Sequence, residues 1–163
     1  MRRLSRREWL ASASGVGSAL WLADRAALAE PSVRLYLVTA KANAIRDISF
    51  PDLRQLYRGR RLSVAGVKVI PFNHPANTPD RVAFDRIVLG MSPEEVGRYW
   101  VDQKIRGGDS PPRTIDSVAL LLRVVAALEG GFGYVREGFS SPELKTVSVE
   151  GKMPNDSGYP LIY

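Results

Sequence analysis

The sequence predicts an α/β domain in which a mixed sheet is flanked by helices. Short apolar runs rich in strand formers alternate with segments of helical periodicity, which indicates a mostly parallel or mixed sheet with helices on its faces. Three of the helical segments begin at a serine or threonine with a proline in the first turn, a typical helix start. The chain of 163 residues is long enough for one domain of ordinary size.

The first predicted elements are a strand, a helix and a second strand. Residues 33–38 form a short apolar run that is typical of a buried strand. Ser49 is expected to begin a helix that ends at Gly59, and residues 67–72 form the next strand. The apolar face of this helix consists of Leu53, Leu56 and Tyr57.

Two further helices are predicted after the second strand. The first begins at Thr78 and ends at Gly90, and Ser92 opens the second with a capping box. The core face of the first helix comprises Ala83, Phe84, Ile87, Val88 and Met91. Its opposite, polar face is expected to comprise Asp80, Arg81, Asp85 and Arg86.

Residues 118–128 form the most apolar predicted helix, in which Arg123 is the one charged residue. Thr114 is expected to cap this helix. Because the segment falls well short of the ~20 residues that span a bilayer, we expect it to be the helix packed most deeply against the sheet. Strands at residues 132–135 and 146–149 complete the predicted sheet.

The first 29 residues have the organisation of an export signal. A basic segment at residues 1–10 is followed by an uncharged stretch at residues 10–23 and a small-x-small cleavage site at residues 27–29. The pair Arg6-Arg7 lies in a twin-arginine-type motif. We therefore predict a signal peptide at residues 1–29, a domain at residues 30–163 and a periplasmic location. The alternative is an uncleaved membrane anchor.

Composition excludes several classes of site. The chain has no cysteine and a single histidine, so thiolate chemistry and multi-histidine metal centres are excluded, and no cofactor is expected. Its net charge is +6, but five arginines against two acidic residues in the first 29 positions account for about half of it. Nucleic acid is therefore not an expected partner. The one basic cluster, Arg58, Arg60 and Arg61, is either a phosphate-binding or nucleic-acid patch or a solvated helix end stabilised by the helix dipole.

No catalytic constellation is visible, so no enzymatic activity is expected. Nucleophilic catalysis needs a nucleophile, a base and an orienting group, and His74 is the one candidate imidazole. The sequence contains neither a Gly-x-Ser-x-Gly elbow nor a phosphate-cradling P-loop.

Five motifs, in this order, resemble a known family. They are the helix at residues 48–59, the loop-to-helix turn at 73–84, the junction at 89–93 before Tyr99-Trp100, the strand at 130–135 and the ending at 149–161. The sequence Gly130-Gly131-Phe132-Gly133-Tyr134-Val135 is the most specific of them. Together they resemble the phosphate-binding subunits of bacterial phosphate uptake transporters, the phosphate ABC transporter substrate-binding proteins, over about Leu35 to Tyr163.

The resemblance implies a single lobe of a type II periplasmic-binding-protein-like fold. Full-length members hold the anion between two lobes, and this chain is expected to correspond mainly to the second lobe. The implied function is a solute-binding-like protein for phosphate or another small oxyanion, associated with ABC-type transport. The alternative is an interaction or signalling module of the periplasm, without a ligand. It would bind a membrane permease or sensor protein, or a second copy of the chain.

The candidate ligand site is the helix start at Thr78, because free amide groups and the positive end of the helix dipole attract an oxyanion. Pro79 lacks one of these donors, Asp80 adds a carboxylate, and Arg81 partly offsets that negative charge. The alternative is that Thr78 is a plain helix N-cap. The resemblance places further ligand contacts near His74 and on a second loop, for which a surface turn and a helix cap are the alternatives. The candidate ligand residues are His74, Asn77, Thr78, Asp80, Arg81, Gly107, Gly108 and Thr114.

Overall fold

The computed structural model describes residues 32–136, 139 and 141–163. The predicted signal peptide at residues 1–29 lies outside these described residues. The strands are β1 Leu35–Ala40, β2 Asp47–Ile48, β3 Ser63–Val64, β4 Val67–Lys68, β5 Ile70–Asn73, β6 Arg113–Thr114, β7 Gly131–Arg136 and β8 Leu144–Val149. The helices are α1 Phe50–Tyr57, α2 Pro79–Phe84, which continues into a π-helical turn at Asp85–Leu89, α3 Pro93–Ile105 and α4 Val118–Ala127.

Six of the strands form one mixed sheet in the order β2-β8-β1-β7-β5-β6. The central strand β1 is antiparallel to both β7 and β8. Parallel pairing joins β5 to β7, β5 to β6 and β2 to β8. Strands β3 and β4 form a separate antiparallel pair. The prediction of a mixed sheet flanked by helices is confirmed.

Two apolar clusters lie on the two faces of the sheet, because alternate side chains of each strand point to opposite sides. The larger cluster joins one face of the sheet to α1, α2 and α3, and its centre is aromatic. There the ring of Phe84 stacks on Tyr134 with centroids 3.8 Å apart, and Tyr57 lies 4.5 Å from Phe84. The smaller cluster packs α4 on the other face through Leu121 and Val125.

Local caps explain where most helices begin. Ser49 accepts a hydrogen bond from the amide of Asp52 at the start of α1, and Ser92 and Glu95 form the predicted capping box of α3. The prediction that Thr114 caps α4 is wrong. Thr114 lies in β6, and the Ser117 hydroxyl oxygen accepts the capping bond of α4 instead.

The prediction that α4 is the most deeply packed helix is also wrong. Leu121 and Val125 are buried, whereas Val118 and Leu120 remain 43% and 44% exposed. The reason is geometric, since a helix that lies on a single sheet can bury one stripe of side chains and leaves the others toward solvent.

The polar face predicted for the helix after Thr78 is partly wrong. Arg81 and Asp85 are buried, and residues of α3 line the same cavity as these two side chains. The two charges are tolerated there because they form an ion pair. Gly90 ends the helix in the left-handed conformation with a φ of 68°, as predicted.

Within residues 32–136, 139 and 141–163, no helix combines the length and apolar character needed to cross a bilayer.

Candidate functional site

Three parallel strands end at one edge of the sheet. Strands β7, β5 and β6 are neighbours, with Pro71 opposite Phe132 and Asn73 opposite Thr114. Their carboxyl ends therefore lead side by side to Arg136, to the loop after Asn73 and to Thr114. Open α/β sheets bind ligands in crevices outside the carboxyl ends of their strands. We call this region the carboxyl edge.

His74 secures the loop that follows β5. It is buried, and its Nε2 lies 2.7 Å from the backbone oxygen of Tyr134, to which the protonated nitrogen donates. The Tyr134 hydroxyl in turn donates to Oδ1 of Asn73 at 2.5 Å. Burial raises the pKa of Tyr134 well above its usual value, so this hydroxyl keeps its proton at physiological pH. The predicted ligand residue His74 thus makes a structural bond to β7.

The turn after His74 leaves the start of α2 without a side-chain cap. Thr78 donates its hydroxyl to the backbone oxygen of Pro75 at 2.9 Å and accepts no bond from the first turn of the helix. Pro79 has no amide hydrogen, so the amides of Asp80 and Arg81 are the donors at this helix start. Asn77 precedes them with a φ of 68° and an exposed side chain.

Asp80 is paired with an arginine that the sequence did not single out. Nε and Nη2 of Arg136 lie 2.7 and 2.5 Å from Oδ1 of Asp80. The Arg136 side chain is 47% exposed, and that of Asp80 is 19% exposed. The carboxylate at the helix start is therefore neutralised by a guanidinium that still faces solvent. The one sequence signal for Arg136 was its position at the end of a predicted strand. Its pairing with Asp80 could not be predicted, because the two residues are far apart in sequence.

Arg81 is engaged within the protein. Its Nε donates to Oδ2 of Asp85 at 2.6 Å, and its Nη1 donates to the backbone oxygen of His74 at 3.1 Å. Burial raises the pKa of Asp85, and the adjacent guanidinium of Arg81 opposes that rise. The pair fixes the His74 loop to the helix.

A cavity of about 340 Å³ lies between this helix and α3, lined by residues that include Asn77, Arg81, Asp85 and Trp100. Within the described residues, Oδ1 of Asp85 and Nε1 of Trp100 are buried without a hydrogen-bond partner. Glu94 also lines this cavity, and because Arg81 and Asp85 neutralise each other, its charged lining residues leave a net negative charge that disfavours an anion there. An oxyanion at the carboxyl edge is better placed beside Arg136.

The predicted loop residues Gly107 and Gly108 lie in a different part of the molecule. Gly108 lines a cavity of about 540 Å³ with Gln55 and Arg58, and no residue of the 74–81 turn lines it. The structure therefore brings His74, Asn77, Thr78, Asp80, Arg81 and Thr114 to the carboxyl edge and leaves the two glycines apart. In the part of the chain that is described, no group of three or more histidine, cysteine or acidic side chains could hold a metal ion.

The strand order, the mixed pairing and the loops at the carboxyl edge define one lobe of a periplasmic-binding-protein fold. Solved structures of like fold include phosphate receptors. An ABC-type phosphate transport receptor from Vibrio cholerae superposes with a TM-score of 0.63 at 16% identity, over 80% of this chain and 54% of that one. PstS from Borrelia burgdorferi gives a TM-score of 0.61 at 15% identity, over 80% and 55% of the two chains.

A third similar structure, a phosphate ABC transporter substrate-binding protein with bound phosphate from Clostridium perfringens, gives a TM-score of 0.60 at 19% identity, over 76% of this chain and 47% of that one. The chain thus spans about half the length of the receptors it resembles. No protein-family model and no curated protein sequence matches it.

Proposed function

We propose that the chain is an exported, non-enzymatic solute-binding-like protein that takes a small oxyanion, phosphate first, at the carboxyl edge, in association with ABC-type transport. The observation that carries the proposal is the place of Arg136, whose half-exposed guanidinium lies beside the uncapped start of α2. The hydroxyl of Thr114 and the amide side chain of Asn77 are exposed at the same edge. The phosphate receptors of like fold support this choice of ligand.

The expected affinity is low. The Asp80–Arg136 and Arg81–Asp85 pairs cancel the charges at the site, so an anion is held mainly by hydrogen bonds. Two or three charge-assisted bonds of about 1.5–3 kcal/mol each supply about 3–9 kcal/mol, and association costs at least about 4 kcal/mol, so the dissociation constant is expected to be on the order of 1 mM or weaker. Water reaches such a site from the open side, which weakens each bond further.

Calorimetry with orthophosphate and sulfate tests the proposal. Arg136→Gln and Thr78→Ala are each expected to weaken orthophosphate binding, the first because it removes the solvent-facing guanidinium. Arg106→Gln is the matched control, since Arg106 is an exposed arginine at the C-terminal cap of α3 that pairs with Asp102. An absence of heat for both anions, or an equal effect of the control, would refute an oxyanion site at the carboxyl edge.

We also propose export to the periplasm by the twin-arginine route, with cleavage after Ala29. The support is the Arg6-Arg7 pair followed by an uncharged stretch and a small-x-small site. Lysine at positions 6 and 7 is expected to retain the full-length chain in the cytoplasm, and Arg2→Lys with Arg3→Lys is the control. Cell fractionation followed by detection with an antibody measures how much of the chain reaches the periplasm. Normal export of the Arg6→Lys, Arg7→Lys variant would refute the twin-arginine route.

A second function, an interaction module without a ligand, is favoured by exposed apolar side chains. Val101 and Ile105 on α3 are 61% and 79% exposed and lie one helical turn apart. Such a pair suits a membrane permease or sensor, or a second copy of the chain. Under this hypothesis, Val101→Ser with Ile105→Ser abolishes crosslinking to that partner in the periplasm. If the chain is monomeric by light scattering and forms no crosslink in the periplasm, the interaction-module hypothesis is contradicted.

A further inference from the structure

A second polar region lies around the loop that contains Gly108. Two cavities, of about 540 and 370 Å³, share Arg60, Gly108 and Asp109 as lining residues and are therefore adjacent. Their arginines are Arg58, Arg60, Arg61 and Arg113, and we call the two cavities together the arginine cleft. Each volume lies within the range of about 300–1,000 Å³ that is usual for small-molecule sites.

The arginine cleft carries an excess of positive charge. Four arginines line it and Asp109 is its one acidic lining residue. Among the described residues, none of these four arginines forms an ion pair. This contrasts with Arg81, Arg106 and Arg136, each of which is paired with an aspartate. Clustered guanidinium groups that outnumber the nearby carboxylates and form no ion pair repel one another and attract an anion.

Arg58 supplies a fixed and incompletely bonded donor. The Tyr99 hydroxyl donates to its backbone oxygen at 2.9 Å, and its Nη2 lies 3.4 Å from the backbone oxygen of Leu89. Its Nε is buried and has no acceptor within the described residues. The guanidinium of Arg58 therefore keeps unused hydrogen-bonding capacity next to the cleft, and no carboxylate in the described part of the chain neutralises its charge.

The walls of the larger cavity add neutral polar groups at close range. Gln55 and Gln103 line it, and the backbone at Gly108 packs against Gln103 so tightly that a Cβ there would collide with Oε1 of Gln103. Arg113 and Thr114 are successive residues of β6, so their side chains point to opposite faces. The Arg113 side chain therefore lines the cleft, whereas the Thr114 side chain lies at the carboxyl edge.

We propose that the arginine cleft binds a small polyanion with at least two phosphate groups. Its four unpaired guanidinium groups exceed what a single orthophosphate can contact bidentately, and they match linked phosphates in charge. The same chemistry of two or more phosphates occurs in a soluble oligophosphate and in the head group of an anionic lipid such as cardiolipin. The proposal assigns a role to the basic cluster and the glycine loop, and it does not depend on oxyanion binding at the carboxyl edge.

Titration of the full chain with sodium tripolyphosphate tests the cleft. Arg60→Gln and Arg113→Gln each change an exposed arginine, so folding is preserved, and each is expected to weaken tripolyphosphate binding about tenfold, or ~1.4 kcal/mol. Arg86→Gln and Arg98→Gln remove the same charge at exposed positions outside the cleft and are expected to change it less than about twofold.

The two phosphate sources are separated by a second arm. Co-sedimentation with vesicles that contain cardiolipin, an anionic lipid with two phosphates in its head group, against phosphatidylcholine vesicles, measures head-group binding with the same four variants. Dependence on Arg60 and Arg113 in either arm supports the cleft and identifies its source of phosphate. No binding in both arms, or equal weakening by all four variants, overturns it. If Arg60→Gln weakens tripolyphosphate binding but leaves orthophosphate binding unchanged, the cleft and the carboxyl edge are two independent sites.

Discussion

Replacing Arg81 by alanine tests the buried ion pair that fixes the His74 loop. The change removes the partner of Asp85 at 2.6 Å and leaves the backbone oxygen of His74 without its donor. Removing one member of a buried pair typically costs about 3–5 kcal/mol, because the other charge stays buried without compensation. We therefore expect Arg81→Ala to lower the free energy of unfolding by about that amount.

The exposed pair Arg106–Asp102 is a matched control. It has the same residue types, the same spacing of four positions and a distance of 3.0 Å, but its side chains are 74% and 51% exposed. Arg106→Ala is expected to cost about 0.5 kcal/mol or less, because water screens an exposed pair. Urea unfolding followed by circular dichroism measures both variants. Equal losses for the two, or a loss below about 1 kcal/mol for Arg81→Ala, would refute the reasoning.

The loss in Arg81→Ala is also expected to depend on pH. Without the guanidinium, nothing opposes the burial that raises the pKa of Asp85, so the folded state binds the proton more tightly than the unfolded state. A raised carboxyl pKa makes stability highest at low pH and lowers it as pH rises toward the folded value. The deficit should therefore be smaller at about pH 5 than at about pH 8. Arg81→Met with Asp85→Leu, which removes both charges, should recover most of the stability.

Two further predictions concern the sheet and the aromatic core. Gly131→Ala should destabilise the fold by several kcal/mol, since its Cβ would lie 2.6 Å from the backbone oxygen of Val125. Gly97→Ala should instead stabilise the fold by up to about 1 kcal/mol, because Gly97 lies in the middle of α3 with open space around it. Urea unfolding measures both changes. Tyr57→Phe should cost about 1–3 kcal/mol, because the buried Tyr57 hydroxyl donates to the backbone oxygen of Phe72 at 3.0 Å; an unchanged thermal midpoint would contradict this.

Features set by local chemistry were predictable from the sequence. The capping box at Ser92, the helix face of Leu53, Leu56 and Tyr57, and the left-handed end at Gly90 all depend on residues within one or two turns. Their geometry is fixed by spacing alone. The mixed sheet followed from the alternation of strands and helices.

Features set by distant contacts were not predictable. Thr114 lies in a strand because the edge of β5 offers Asn73 as a pairing partner, and the amide of Ile115 then donates to the backbone oxygen of Asn73. The pairing of Asp80 with Arg136 joins the start of a helix to the end of a strand that lies after α4. Periodicity describes one element at a time and carries no information about which neighbour covers it.

The central claim is that an oxyanion binds at the carboxyl edge, and an amide-resolved NMR titration with orthophosphate tests it most directly. Binding predicts saturable shifts of the Asp80 and Arg81 amides and of Thr114, with one dissociation constant on the order of 1 mM or weaker. Arg136→Gln should raise that dissociation constant, while the spectrum of the variant without phosphate remains that of a folded protein. Shifts that are absent, or that grow linearly and uniformly over the whole chain, would contradict the claim.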